Sequence, residues 1–249
     1  GVQRVVVPST NGISLATQVW KPRMPSATTS ALPTIIIVHQ WSIMGGQATL
    51  MKGIAQELSD KGFQAVTFDM RGVGRSNGRA TITGTDEIED VKAVCKWTHE
   101  NLNSDLVVLG SSAGAPIAGS AVEEFDFVKA YVGIGYVFGF FASILFSHHY
   151  DRIIGSSKPK LFIMGTKDEF TSPSQLKKVL KRMQPPKEAH LIEGVSHFAL
   201  EGPDYDGMMA SLTADFVLRH FAPSAAAEEP RRDSEEPRRD AEEPRRDGV

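Results

Sequence analysis

Ser112 lies in a sequence pattern that is typical of catalytic serine nucleophiles. Residues 106–114 read Leu-Val-Val-Leu-Gly-Ser-Ser-Ala-Gly, an apolar run that leads into Gly-x-Ser-x-Gly. A sharp turn between a strand and a helix strains the serine backbone and leaves room only for small residues two positions before and after it. Gly110 and Gly114 meet that need. We therefore predict a buried strand, a turn at Ser112 and a helix over residues 113–124, with Ser111 pointing away from the cleft.

A serine hydroxyl is a weak nucleophile at neutral pH and needs a base within hydrogen-bond reach. A carboxylate must in turn orient that base. Neither group follows Ser112 closely in the sequence, so other parts of the chain have to supply both. The elements that carry those parts decide whether the chemistry is possible.

The hydrophobic pattern predicts an α/β fold. The first predicted strands cover residues 2–8, 12–20, 33–39 and 63–69, and Asn11-Gly12 is a hairpin signal between the first two. Further along, short apolar runs such as 106–109 and 161–164 alternate with amphipathic helices, which is typical of a parallel sheet covered on both faces. We predict a mostly parallel sheet of eight strands that begins with an antiparallel hairpin.

Three segments together resemble the α/β-hydrolase fold family. Besides the turn at Ser112, Val38-His39-Gln40 ends the third predicted strand where that family places its oxyanion loop. Residues 68–76, Phe-Asp-Met-Arg-Gly-Val-Gly-Arg-Ser, look like the loop that follows the family's next strand. The resemblance extends over residues 1–221 and is nearest to lidless serine esterases and dienelactone hydrolases. It implies a single hydrolase domain with Ser112 as the nucleophile.

The resemblance also implies which residues complete the site. In the family the acid and then the histidine follow the serine along the chain. Residues 165–170 resemble the acid loop with Asp168 at the family position, and residues 193–198 resemble the histidine loop with His197. Both follow the carboxyl end of a predicted strand, at the same edge of the sheet as Ser112. Glu169 is the alternative acid.

Backbone N–H groups are the expected donors to an oxyanion. The turn itself supplies the N–H of Ala113, and the loop after the third strand supplies that of Trp41 or Gln40. The family usually has glycine where this chain has Gln40. We expect His39 to be a buried histidine that fixes this loop through hydrogen bonds to backbone.

The interval 136–154 is too short for a cap domain, so the sequence predicts an open cleft without a lid. Aromatic side chains would wall it and suit an apolar acyl or aryl group. The predicted wall consists of Trp41, Tyr136, Phe138, Phe140 and Phe141. The glycines of residues 133–139 have the wrong spacing for a dinucleotide-binding turn, and we expect no cofactor and no metal.

Composition restricts the partners. The formal charge is −3, but residues 228–247 hold nine acidic and six basic side chains, which leaves 21 of each in the body. A neutral body is not expected to bind nucleic acid. The uncharged run 131–147 is short for a bilayer span, so no stable membrane insertion is expected. Cys95 alone cannot form an internal disulfide, and we expect a cytoplasmic protein, or an organellar one if a targeting segment was removed.

The last residues differ from the body. Residues 222–249 contain three copies of Glu-Glu-Pro-Arg-Arg-Asp, repeated every seven residues without an apolar face. Such a segment cannot bury enough apolar surface to fold, so we predict a disordered, charged tail after a domain of residues 1–221.

The predicted function is hydrolysis of a small-molecule carboxylic ester or thioester through an acyl-serine intermediate. The same groups could serve a peptidase or an acyltransferase. A receptor of this fold that binds a small molecule and turns it over slowly or not at all is the alternative from another class. The sequence does not indicate an oligomeric state.

Overall fold

The computed structural model describes residues 1–102, 104–138 and 150–222. Two predicted wall residues, Phe140 and Phe141, and the predicted tail beyond residue 222 therefore lie outside the described residues. No helix in the described ranges combines the length and the apolar character needed to cross a membrane.

Within the described residues, the strands are β1 Val2–Pro8, β2 Ser14–Trp20, β3 Thr34–Val38, β4 Ala65–Phe68, β5 Leu106–Ser111, β6 Val128–Ile134, β7 Lys160–Gly165 and β8 Lys187–Ile192. These eight strands form one sheet in the order β1-β2-β4-β3-β5-β6-β7-β8. β1 pairs antiparallel with β2, and β2 pairs antiparallel with β4, whereas all later pairs are parallel. The predicted fold class and the hairpin at its start are confirmed.

Helices cover both faces of the sheet, and a separate apolar cluster fills each interface. Lys52–Asp60 and Asp206–Phe221 pack on one face, while Thr85–Leu102, Gly114–Ser120 and Pro173–Arg182 pack on the other. Residues 150–155 are also helical. Short helices or single turns occur at Thr10–Gly12, Ala27–Ser30, Ser42–Met44, Ala48–Met51, His197–Leu200 and Pro203–Tyr205.

The loop after β4 is tied to the helix Thr85–Leu102 by a buried ion pair. The Arg71 side chain is 4% exposed, and its Nε and Nη2 donate to the two carboxylate oxygens of Asp90 at 3.0 and 2.7 Å. The backbone N–H of Arg71 donates to the same carboxylate at 2.9 Å. This clamp positions one of the loops that reach the carboxyl edge of the sheet.

The parallel strands β5, β7 and β8 end at the same edge, so the loops that follow them meet there. Gly165 lets the last two loops approach, because a Cβ atom at that position would lie 2.1 Å from the carbonyl oxygen of Val195. The N–H of Lys167 donates to that same oxygen at 2.9 Å. The fold therefore places residues 111–114, 166–171 and 193–198 next to one another.

Candidate active site

Ser112 occupies a strained turn between β5 and the helix Gly114–Ser120. Its φ angle is +54°, in the left-handed region that a residue with a side chain rarely adopts. Gly110 and Gly114 are needed because a side chain at either position would clash with neighbouring atoms. A Cβ on Gly110 would lie 2.6 Å from the Cα of Ala115, and one on Gly114 would lie 1.9 Å from the carbonyl oxygen of His39. The following helix ends at Ser120, four residues earlier than predicted.

The structure brings Ser112, His197 and Asp168 into one hydrogen-bonded row. The Oγ of Ser112 lies 2.8 Å from the Nε2 of His197, and the Nδ1 of His197 lies 2.7 Å from the Oδ2 of Asp168. The other oxygen of Asp168 accepts the backbone N–H groups of Phe170 and Thr171 at 2.9 and 2.8 Å. The carboxylate is therefore held in place independently of the histidine.

Glu169, the alternative acid, binds a different part of the histidine. Its Oε2 accepts the backbone N–H of His197 at 2.9 Å, while the imidazole faces Asp168. Adjacent side chains in this turn point in different directions, and only Asp168 reaches the ring nitrogen. Glu169 instead helps to anchor the start of the helix His197–Leu200.

The imidazole of His197 is 1% exposed and is surrounded by carboxylates. Burial lowers its pKa, but the hydrogen bond and charge of Asp168, together with the charges of Glu201 and Glu169, outweigh burial and raise the pKa above 6.5. A histidine that accepts a proton from serine must first be neutral. The surroundings therefore make His197 a stronger base and move its neutral form to higher pH.

His39 fixes the loop after β3 against the turn at Ser112. Its imidazole is fully buried, its Nδ1 lies 2.7 Å from the carbonyl oxygen of Gln40, and its Nε2 accepts the N–H of Met70 at 3.1 Å. Burial lowers the pKa of His39 to about 4, so the ring is neutral at physiological pH. Since a trans peptide directs C=O and N–H to opposite sides, the N–H of Trp41 points away from this histidine.

The predicted aromatic wall is only partly where the sequence placed it. Tyr136 is 2% exposed and packs among Tyr131 and Phe162 in the core, so it does not form an open wall as predicted. Phe138 is half-buried and stacks on Tyr136 with the ring centres 4.0 Å apart. Trp41 is half-buried against the same apolar cluster.

Other aromatic residues border His197, and sequence reasoning missed them. Phe170 and Phe198 are 45% and 63% exposed, and their ring centres lie 4.6 and 5.6 Å from that of His197. Gly135, which directly follows β6, lies against the same ring, because a Cβ there would be 3.1 Å from the Cε1 of His197. The sequence did contain a signal for Phe198, since this residue directly follows the predicted catalytic histidine.

Glu201 is a further residue of the site that sequence reasoning missed. Its Oε1 lies 3.7 Å from the Nε2 of His197 and accepts the hydroxyl of Ser111 at 3.2 Å. The prediction that Ser111 points away from the cleft is therefore wrong, because its hydroxyl binds a carboxylate beside the reacting atoms. Burial raises the pKa of Glu201, and the nearby His197 opposes that rise. The i, i+4 spacing from His197 was the sequence signal, because residues four apart share a helix face.

A metal site is not evident in the described ranges, where no three His, Cys, Asp or Glu side chains form a group that could hold an ion. Cys95 is fully buried, and burial raises the pKa of its thiol to about 12. That thiol is therefore unreactive. The titratable groups that face Ser112 are a histidine and carboxylates, which suits acyl transfer by acid and base catalysis.

The chain is similar to known serine hydrolases. The family model described as X-Pro dipeptidyl-peptidase (S15 family) matches residues 11–123, and no curated protein matches the sequence. An alpha-beta serine hydrolase homologue from Coxiella burnetii is 25% identical, with a TM-score of 0.70 over 88% of this chain and 97% of its own.

Two further solved structures show the same fold. An α/β serine hydrolase without a lid from Xanthomonas campestris is 21% identical, with a TM-score of 0.68 over 90% of this chain and 96% of its own. The esterase Pf2001 from Pyrococcus furiosus is 19% identical, with a TM-score of 0.70 over 90% and 92%. The chain has the α/β-hydrolase fold, as its sequence predicted, and the solved structures that it is similar to include a serine hydrolase without a lid.

Proposed function

We propose that the protein hydrolyses carboxylic esters or thioesters through an acyl intermediate on Ser112. The observation that carries this proposal is the row in which Ser112 Oγ, the His197 ring and the Asp168 carboxylate are joined by contacts of 2.8 and 2.7 Å. The strained φ of Ser112 supports it, because strain at one non-glycine residue beside a base is a feature of functional sites.

In the first half of the reaction, Ser112 Oγ attacks the carbonyl carbon while its proton passes to His197 Nε2. Asp168 holds the Nδ1–H tautomer and stabilises the imidazolium that forms. As the tetrahedral intermediate collapses, the bond from carbon to the leaving oxygen or sulfur breaks. His197 returns its proton to the leaving group, and an acyl-Ser112 ester remains.

In the second half, His197 takes a proton from water, and the resulting hydroxide attacks the acyl carbon. The bond to Ser112 Oγ then breaks, the proton returns to that oxygen, and the carboxylic acid leaves. The N–H groups of Ala113 and Trp41 are the donors we assign to the oxyanion. The orientation of the Gln40–Trp41 peptide, set by His39, favours Trp41 over Gln40.

The exposed rings of Phe170 and Phe198 support an apolar acyl or aryl group next to the nucleophile. Both rings contact the His197 ring edge-on, so a bound substrate that reaches Ser112 would pass over them. These two residues extend the wall that the sequence assigned to Trp41 and Phe138.

A fluorophosphonate probe tests the proposal directly, since it reacts only with an activated serine. The full chain should be labelled at Ser112, and Ser112→Ala should lose both the label and the turnover of a short p-nitrophenyl ester. Ser174→Ala, which removes an exposed serine, is the matched control and should keep both. An unlabelled wild-type protein would favour the receptor alternative.

The match to the S15 family makes peptide hydrolysis the second candidate, because it covers Ser112. A dipeptide p-nitroanilide with proline in second position tests it against the p-nitrophenyl ester of the same dipeptide. Our proposal predicts measurable turnover of the ester only. Amide turnover that disappears in Ser112→Ala would assign the chain to the peptidases instead.

A further inference from the structure

Glu201 has no part in the mechanism above, yet its carboxylate lies beside the reacting atoms. The residue directly follows the helix His197–Leu200, and its N–H donates to the carbonyl oxygen of His197 at 3.3 Å. Its Oε1 is 3.7 Å from His197 Nε2, the same nitrogen that binds Ser112. The hydroxyl of Ser111 donates to Oε1 at 3.2 Å and holds the carboxylate on this side of the ring.

The carboxylates around His197 differ in how completely protein donors satisfy them. Asp168 accepts two backbone N–H groups besides the imidazole, and Glu169 accepts the N–H of His197. Glu201 is 14% exposed, accepts the hydroxyl of Ser111 and interacts with the hydroxyl of Ser112, which also binds His197. Because a carboxylate offers about four acceptor sites, Glu201 can receive a further donor from a ligand.

The charged side chains around His197 are also mainly acidic. Within the described residues, the charged groups that raise the pKa of His197 are Asp168, Glu201 and Glu169, and all three are carboxylates. Among the residues that the structure describes, no lysine or arginine forms an ion pair with Glu201. The carboxylates around His197 would therefore attract a substrate cation near Ser112 and repel a substrate anion.

We propose that Glu201 determines substrate specificity by binding an ammonium group next to the scissile carbonyl, so that the preferred substrates are α-amino esters. The inference rests on the proposed function of Ser112. The carbonyl carbon must approach Ser112 Oγ to about 3 Å, and the α-nitrogen is two bonds from that carbon. An α-ammonium group therefore comes within reach of the carboxylate that Ser111 holds beside the nucleophile.

Three ethyl esters of similar size test this assignment, namely ethyl alaninate, ethyl lactate and monoethyl methylmalonate. They place an ammonium, a hydroxyl and a carboxylate on the same carbon. At pH 7, where an α-amino group is mostly protonated, acid release gives kcat/KM for each ester. We expect kcat/KM for the ammonium ester to exceed that for the hydroxyl ester about tenfold or more. The reason is that the Coulomb attraction between unit charges about 4 Å apart near a protein surface is larger than the free energy of a tenfold difference. The carboxylate ester should be the slowest.

Glu201→Gln should remove the preference, because the variant has no charge to attract the ammonium group. The values of kcat/KM for the ammonium and hydroxyl esters should then differ by no more than about threefold. Glu193→Gln removes an exposed carboxylate from the loop after β8 and is the matched control. It should keep the wild-type order. Labelling by the fluorophosphonate probe shows that each variant retains a folded site.

The outcomes separate this inference from the proposed function. If the wild type hydrolyses the ammonium and hydroxyl esters equally, or prefers the carboxylate ester, Glu201 does not bind a substrate cation although Ser112 is a working nucleophile. The same conclusion follows if Glu201→Gln slows all three esters by one common factor, as a residue that only supports His197 would. If the wild type hydrolyses no ester and takes no label, the proposed function and the inference both fail.

Discussion

A lower pH should reduce the free energy of unfolding, because His39 is buried in its neutral form. This ring can accept the N–H of Met70 only while its Nε2 is unprotonated, and its Nδ1–H is then available to the carbonyl oxygen of Gln40. Protonation would place a charge in a fully buried position and remove the acceptor. Burial accordingly lowers the pKa of His39 from 6.5 to about 4.

The sign follows from proton binding, because the unfolded state takes up a proton near pH 6.5 and the folded state does so only near pH 4. The stabilising effect is complete above pH 6.5, declines as the pH falls, and levels off below about 4. One pKa unit corresponds to about 1.4 kcal/mol, so the whole effect is about 3 kcal/mol, of which about 2 kcal/mol is lost between pH 7.5 and 5.

Urea unfolding of wild type and His39→Gln at pH 7.5 and pH 5 measures this effect. The difference in unfolding free energy between the two proteins should shrink by about 2 kcal/mol at the lower pH. His190→Gln, which removes an exposed histidine of β8, should follow the wild type at both values. A difference between wild type and His39→Gln that does not change with pH would refute the reasoning.

Further variants test the site and its supports. Asp168→Asn should lower kcat by about 10⁴ without loss of fold, because the amide favours the wrong tautomer of His197; a loss below tenfold in an ester assay would contradict this role. The plot of kcat/KM against pH should have its acidic midpoint above 6.5, and Glu201→Gln should move that midpoint to lower pH, since Glu201 helps to raise the pKa of His197; an unmoved midpoint would contradict the contact. Arg71→Met should destabilise the protein by about 3–5 kcal/mol in urea unfolding, because the Asp90 charge stays buried without its partner; a loss below about 1 kcal/mol would argue against the clamp.

Patterns of local sequence predicted the framework correctly. The apolar runs marked the strands because buried parallel strands show their burial directly in the sequence. Asn11-Gly12 marked the hairpin because both residues adopt positive φ, +55° and +73°. Gly110 and Gly114 marked the turn at Ser112 because their neighbours exclude a side chain. In each case the residues that form the pattern are the same ones that must be apolar or small for the element to form.

Predictions failed where a residue's environment comes from distant parts of the chain. Tyr136 was assigned to a cleft wall because it is aromatic and follows β6, but Phe162 of β7 packs against it and makes it part of the core. The helix after Ser112 was predicted to reach residue 124, yet it ends at Ser120. Neither the packing partner nor the end of the helix is visible in the local pattern.

Glu201 belongs to a third case, in which the local signal was present but had no meaning until the histidine was placed. Spacing of four residues puts Glu201 on the same side of the helix as His197, but a glutamate there is ordinarily a solvated surface residue. Its importance comes from Ser111, which β5 brings to the same edge and whose hydroxyl holds the carboxylate. The variable residue of Gly-x-Ser-x-Gly therefore has a function in this chain. It positions a charge beside the nucleophile, and substitution of Ser111 by alanine should weaken the discrimination between charged and neutral esters without removing the nucleophile.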